Sequence, residues 1–238
     1  MTPDHDHSPQ DIHRRLSAMP KQGYLRDMIY GAIDGTVTTF AIVAGVEGAG
    51  LPRSIIIALG LANIIADGFS MAASNYSGTK AELDDRMRII ANEERHIAQY
   101  PEGEMEELRQ ILENRGLSGP VLHQATATIA RDKSKWLDMM LTDEYGLTRT
   151  PPAPLRAALA TFAAFLLAGS VPLLPFILNV PHPFLTSSVV TMLTFFLIGT
   201  GKSRWSLAKW WKSGAETFVI GGVAALLAYG VGTLFQGG

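Results

Sequence analysis

The 238-residue chain contains no cysteine. Thiolate metal sites and disulfides are therefore excluded, and cysteine usage leaves the redox compartment open. No basic patch interleaved with aromatics occurs, so nothing in the sequence invites a nucleic acid. The first 20 residues are polar and lack an apolar segment, so no cleavable signal peptide is expected. Charge is scarce over most of the chain. Charged residues make up 18% and hydrophobic residues 47%, with a net charge of −2, averages that would suit a soluble globule. Yet 14 of the 22 acids and 9 of the 20 Lys and Arg fall between Lys80 and Leu147, which leaves that segment at −5. The long apolar runs elsewhere are almost uncharged. Two such unlike populations indicate an all-α membrane protein with one acidic, water-facing insertion.

Five membrane spans are expected. The first two, within residues 23–79, form an apolar hairpin broken at Pro52-Arg53, and each arm is long enough as a helix to cross a ~30 Å hydrocarbon core. Residues 149–238 supply the other three: Leu155–Leu178, kinked in its far half by Gly169, Pro172 and Pro175; Phe184–Gly201; and Gly214–Phe235. Glu216 opens the last of these, where a helix N-terminus stabilises an acid. Residues 80–148 read as a three-helix insertion between the second and third spans. Its first helix continues the second span through TKAELDDRMRIIANEERHIAQY. The next starts at Pro101 and is capped by Gly116, and the third runs from near Ser118 to a stop at Gly146. Residues 1–22, with His5, His7 and His13 among Asp, Ser and Pro, read as a disordered tail rather than a metal-gathering one.

Arg14, Arg15, Lys21 and Arg26 precede the first span, and Lys202, Arg204, Lys209 and Lys212 lie in a Trp-rich linker before the fifth. The opposite turns carry only Arg53 and His182. An excess of Lys and Arg marks the cytosolic side, so the N-terminus, the insertion and the linker are expected inside and the C-terminus outside.

Acids inside the apolar hairpin are the first chemical signal. Asp34 sits in the first arm and Asp67 in the second, where a carboxylate is expensive and usually faces a pathway or a partner. On the second arm Asn63, Asp67 and Met71 follow at i, i+4 and i+8, one stripe of amide, carboxylate and thioether. Oxygen beside a soft sulfur suits a transition metal better than a proton or an alkali ion. Asp67 could equally brace a neighbouring helix. Asp27, seven residues before Asp34, reads either as the cytosolic mouth of a path or as an ordinary helix-end acid. Glu47 is placed near the outer surface. Small residues, among them Gly31, Gly35, Gly45, Gly48, Gly60 and Gly68, would let these helices pack closely.

The insertion carries the second signal. Glu93 and His96 are three apart on one helix, and Glu104 and Glu107 are three apart on the next, so each pair shares a helical face. Met139, Met140 and Glu144 come from the third helix. Taken alone, these residues read better as solvated acidic faces around a core packed by methionine.

The blocks DG…FAIVAGVEGA and GLAN..ADGFSMA.S.Y…K.E resemble the vacuolar iron transporter family, and the resemblance extends from about Gly23 to the C-terminus. It implies a transporter rather than an enzyme, moving ferrous iron and related divalent ions out of the cytosol with no cofactor beyond the ion carried. It also implies a homodimer in the lipid bilayer with the path between the first helices. Asp34 and Met71 map onto the family's path ligands. Glu93, His96, Glu104, Glu107, Met139, Met140 and Glu144 map onto its divalent-metal site, and with the resemblance the metal reading overtakes the packing one. His96 departs from the pattern, standing where the family has Glu, which makes the site less anionic. Metal/proton antiport follows if a proton returning from the far side neutralises Asp34. A eukaryotic chain would sit in a vacuolar membrane and a bacterial one in the plasma membrane, and the short chain favours the second. Two rivals remain. Glu93-x-x-His96 is half of a di-iron ferroxidase signature, but that fold needs a second Glu-x-x-His and a fourth helix. A metal-responsive membrane scaffold would have no use for Asp34 and Asp67.

Overall fold

A computed structural model of the chain describes residues 7–18, 22–204 and 207–235. His5, Lys21 and Trp205, which figure in the tail and linker readings, lie outside the described residues. Those that are described contain helices and no strand: α1 (Pro9–Ser17), α2 (Leu25–Gly48), α3 (Arg53–Gln99), α4 (Pro101–Asn114), α5 (Gly119–Ala130), α6 (Lys133–Asp143), α7 (Pro154–Ser170), α8 (Leu174–Ile177), α9 (Pro183–Ser203) and α10 (Trp210–Leu234). The chain divides into two compact units, one of residues 23–79 and 154–238, the other of 1–22 and 80–153. The 47-residue α3 contributes to both.

In the first unit five helices are long and apolar enough to cross a membrane: α2, α3, Pro154–Ile177, α9 and α10. Large apolar side chains such as Phe69, Leu167, Leu197 and Leu226 are exposed on their outer faces, as suits a lipid surround. The interior is built around α2. A Cβ on Gly31 would stand 2.3 Å from the Thr161 carbonyl oxygen and one on Gly35 would stand 2.6 Å from that of Phe165, so α2 and α7 meet backbone to backbone. One on Gly48 would stand 2.8 Å from the Tyr229 oxygen, and one on Gly232 would stand 2.2 Å from that of Gly45, which seats α10 against the other half of α2. The glycines that could have opened α2 to a second copy are thus used within the chain. Phe40, Val43 and Val46 of α2, Ile56 and Ile64 of α3, and Leu173 and Phe176 form the buried apolar cluster.

The expected kink in the third span is present. A 3-10 turn at Val171–Leu173 separates α7 from α8, and the Ser187 hydroxyl donates to the Pro172 carbonyl at 2.7 Å. The fifth span begins earlier than expected, at Trp210. Trp210 and Trp211 therefore lie in α10 rather than in the linker, and Trp210 sets its ring edge against Phe196. The earlier start places Glu216 well past the first turn, where the helix dipole has faded. Its partner is Lys202, at 3.3 Å.

The second unit has its own core of Ile97, Leu108, Leu112, Leu122, Trp136 and Met140. Pro101 begins α4, and positive-φ glycines 116 and 146 stand where stops were expected. The expected third helix is instead two, α5 and α6. The Asp132 carboxylate accepts from the backbone N–H groups of Ser134 and Lys135 at 3.2 and 3.3 Å, an N-cap that starts α6 afresh. Within the expected disordered tail, residues 9–17 form α1, started by the N-cap Ser8 with Pro9 in the first turn.

Candidate metal centre

The α3–α4 corner positions the ligands. Tyr100 alone separates the helices, and its N–H still donates to the His96 carbonyl at 2.7 Å, so α4 turns back directly beside the end of α3. This brings Glu93, His96 and Glu104 together: one ligand atom from each lies within 4.8 Å of the other two. His96 Nδ1 stands 3.6 Å from Glu104 Oε1. Glu93 is 1% exposed and Glu104 is 6% exposed. Neither Glu93 Oε1 nor Glu104 Oε2 has a hydrogen-bond partner. Two buried carboxylate oxygens with nothing to bind are costly unless a proton or a cation joins them.

The electrostatics agree. Burial first, then the neighbouring Glu93 carboxylate and the charges of Glu107 and Glu144, push Glu104 up to about 8. Glu144, at the C-cap of α6, is also raised, chiefly by burial. With its carboxyl held up to about 8, Glu104 keeps a proton at neutral pH in the place a cation would take. Glu107 is exposed and contributes charge from one turn along α4. Met140 is fully buried in the hydrophobic core, and Met139 packs against it. Both side chains are thereby placed in the core of this unit.

Within the membrane unit a second polar group joins α2 and α3. Asp34 and Asp67 lie close enough for their charges to interact. Asn63 donates to the Thr38 hydroxyl at 3.2 Å, and that hydroxyl donates to the Asp34 carbonyl at 2.8 Å. Asp34, Asp67 and Met71 are all half-buried rather than sealed in the core. Asp27 behaves differently. It is 7% exposed and accepts from Asn75 Nδ2 at 2.9 Å, and the same Nδ2 donates to Thr161 at 2.6 Å. Thr79 in turn donates to Asn75 Oδ1 at 3.1 Å. The Asp27 carboxylate therefore takes part in tying α2 to α3 and α7.

Residues 25–233 match the model of the VIT family. The chain belongs to the VIT family. It is 32% identical over 215 residues to vacuolar iron transporter 1 of Oryza sativa subsp. japonica, covering 89% of this chain and 85% of that one. Similarity to vacuolar iron transporter 1 of Tulipa gesneriana is 33% over 215 residues, covering 89% and 87%. The vacuolar iron transporter of Toxoplasma gondii is 31% identical over 245 residues, covering 95% and 81%. A VIT-family chain is a metal transporter in a membrane, not an enzyme, and the ferroxidase rival is not favoured.

Sequence reasoning missed one residue of this VIT-family site. The Tyr145 hydroxyl donates to Glu93 Oε2 at 3.3 Å and lies near enough to Glu144 for that charge to act on it. Burial and these two acids hold its own proton more tightly than usual. The only available signal was an aromatic placed between Glu144 and the Gly146 stop.

Proposed function

We propose that this protein exports Fe²⁺ from the cytosol in exchange for protons, with Mn²⁺, Co²⁺ and Zn²⁺ as further substrates. The observation that carries the proposal is the buried Glu93–His96–Glu104 group with its two orphaned oxygens. It captures the ion from the cytosol, with Glu107 and Glu144 adding negative potential. Asp34, Asp67 and Met71 then receive the ion within the bilayer. A carboxylate holds a cation or a proton but not both, so protonation of Asp34 from the far side releases the metal. The protein works as a homodimer. With the α2 glycines committed to α7 and α10, the partner faces the partly open side of α2 bearing Tyr30, Ile33, Asp34 and Val37. The N-terminus and the insertion lie in the cytosol, the C-terminus lies outside, and the membrane is a bacterial plasma membrane. Metal uptake into proteoliposomes under an imposed pH gradient, with internal pH followed in parallel, tests the reading. Metal flux without proton counterflow would overturn the exchange.

Two results are expected at the cytosolic group. Glu93→Ala with Glu104→Ala removes two anionic ligands, so affinity in the full-length protein falls by more than the roughly 10–100-fold that loss of an outer-shell partner costs. Transport drops at low metal concentration and persists when metal is abundant. Calorimetry with wild-type affinity in the double variant would remove these residues from the site.

The second result concerns pH. Binding must displace the Glu104 proton, held up to about 8. Affinity should therefore weaken as pH falls below about 8, and calorimetry in buffers of different ionisation enthalpy should report a released proton. For the metal-free fold the sign is opposite. A carboxyl whose folded value lies above its ordinary 4.5 adds stability below that value and loses it as pH rises through about 8. Added metal should cancel this loss.

A further inference from the structure

We infer that Tyr145 is a specificity-determining residue, which biases the cytosolic group against Ca²⁺ by withholding one oxygen of Glu93. This rests on the metal reading above. Glu93 is almost wholly buried, and its two oxygens are treated differently: Oε2 accepts the phenol hydrogen of Tyr145 at 3.3 Å, whereas Oε1 has no partner. A carboxylate so held favours monodentate binding through Oε1, because chelation through both oxygens would cost the phenol hydrogen bond.

The distinction matters because the competing ions differ in how many oxygens they demand. Ca²⁺ takes six to eight oxygen ligands and commonly uses bidentate carboxylates, in flexible geometry. First-row transition ions accept an imidazole nitrogen readily and manage with fewer donors. A group of Glu93 Oε1, a Glu104 oxygen and His96 already suits the second class. The phenol keeps it so by making the chelating mode that Ca²⁺ would recruit cost a hydrogen bond. Tyr145 is well placed for this role, since it stands just past the C-cap of α6 and before the positive-φ Gly146, and it is 38% exposed. It can therefore lose its hydroxyl without opening a core cavity.

The test uses the purified full-length protein with Co²⁺ and Ca²⁺ as probes. Co²⁺ is followed by calorimetry and by its visible absorption, and Ca²⁺ by competition against bound Co²⁺. In Tyr145→Phe the freed Oε2 allows chelation, so Ca²⁺ should displace Co²⁺ at roughly tenfold lower concentration, within the range for losing an outer-shell hydrogen bond. The Co²⁺ spectrum should change as its ligand geometry relaxes. Tyr145→Leu, which also lacks a donor but differs in shape, should shift the ratio equally. A packing role would instead weaken both ions by the same factor. Equal factors, or a wild-type ratio in both variants, would overturn the inference while leaving the metal site in place. Co²⁺ binding that survives Glu93→Ala with Glu104→Ala would overturn the site itself and the inference with it.

Discussion

Asp34→Asn should reduce metal flux to that of protein-free liposomes while leaving metal affinity of the cytosolic group at its wild-type value. The substitution keeps the size and hydrogen-bonding capacity of the side chain and removes its charge and its titration. Asp34 lies in a membrane-spanning helix, half-buried, with Asp67 near enough to act on it and Thr38 bonded to its own carbonyl. An acid in that setting is expensive, and no ion pair offsets it among the described residues; under the proposed function its charge serves the mobile ion. Asn leaves the Thr38 and Asn63 bonds intact, since neither uses the Asp34 carboxylate, and the protein should remain folded. Met71→Leu should be milder, because it removes one soft donor and conserves volume. The readout is metal uptake with internal pH monitored. Near wild-type uptake with proton counterflow in Asp34→Asn would make Asp34 structural and place the path elsewhere.

The five spans were legible because lipid demands long, uncharged, hydrogen-bond-satisfied helices, and hydropathy reports that demand directly. Capping chemistry was legible where Gly or Pro carried it, as at Pro101, Gly116 and Gly146. It was missed where one ordinary side chain decided the outcome. Asp132 restarts a helix by accepting from two N–H groups, yet in sequence it is one acid among charges. Helix spacing correctly put Glu93 beside His96, but it made Glu107 as good a candidate as Glu104. Only the α3–α4 corner separates them, burying Glu104 and leaving Glu107 in water. The methionines show the same limit. A period of 3.6 gives a face, and whether that face meets the core or the ligands depends on packing. The two contacts that the sequence did not announce, Tyr145 on Glu93 and Asn75 on Asp27, join residues 52 and 48 positions apart. No local pattern encodes them.

The largest structural effect is expected at Gly35. A Cβ there would stand 2.6 Å from the Phe165 carbonyl oxygen, 3.0 Å from the Phe165 ring and 3.1 Å from its Cα. From the other side, a Cβ on Gly169 would stand 3.0 Å from the Gly35 carbonyl oxygen. Two of those neighbours of Gly35 are backbone, so they cannot rotate away, and helix α7 would have to move as a body. That displacement would also strain the Asn75–Thr161 and Asn75–Asp27 bonds, which join α3 to α7 and α2. Gly35→Leu should therefore abolish recovery of monodisperse protein from detergent, with Gly35→Ala intermediate. Gly103 supplies the contrast, since it lies in α4 with nothing within 4 Å of a new Cβ. Gly103→Ala should stabilise the protein by about 0.5–1 kcal/mol through helix propensity. Because the clash is within one chain, the Gly35→Leu defect should be independent of protein concentration. If Gly35→Leu instead yields folded monomers where the wild type forms dimers, the glycine serves the contact between copies and the α2–α7 crossing is not what it secures.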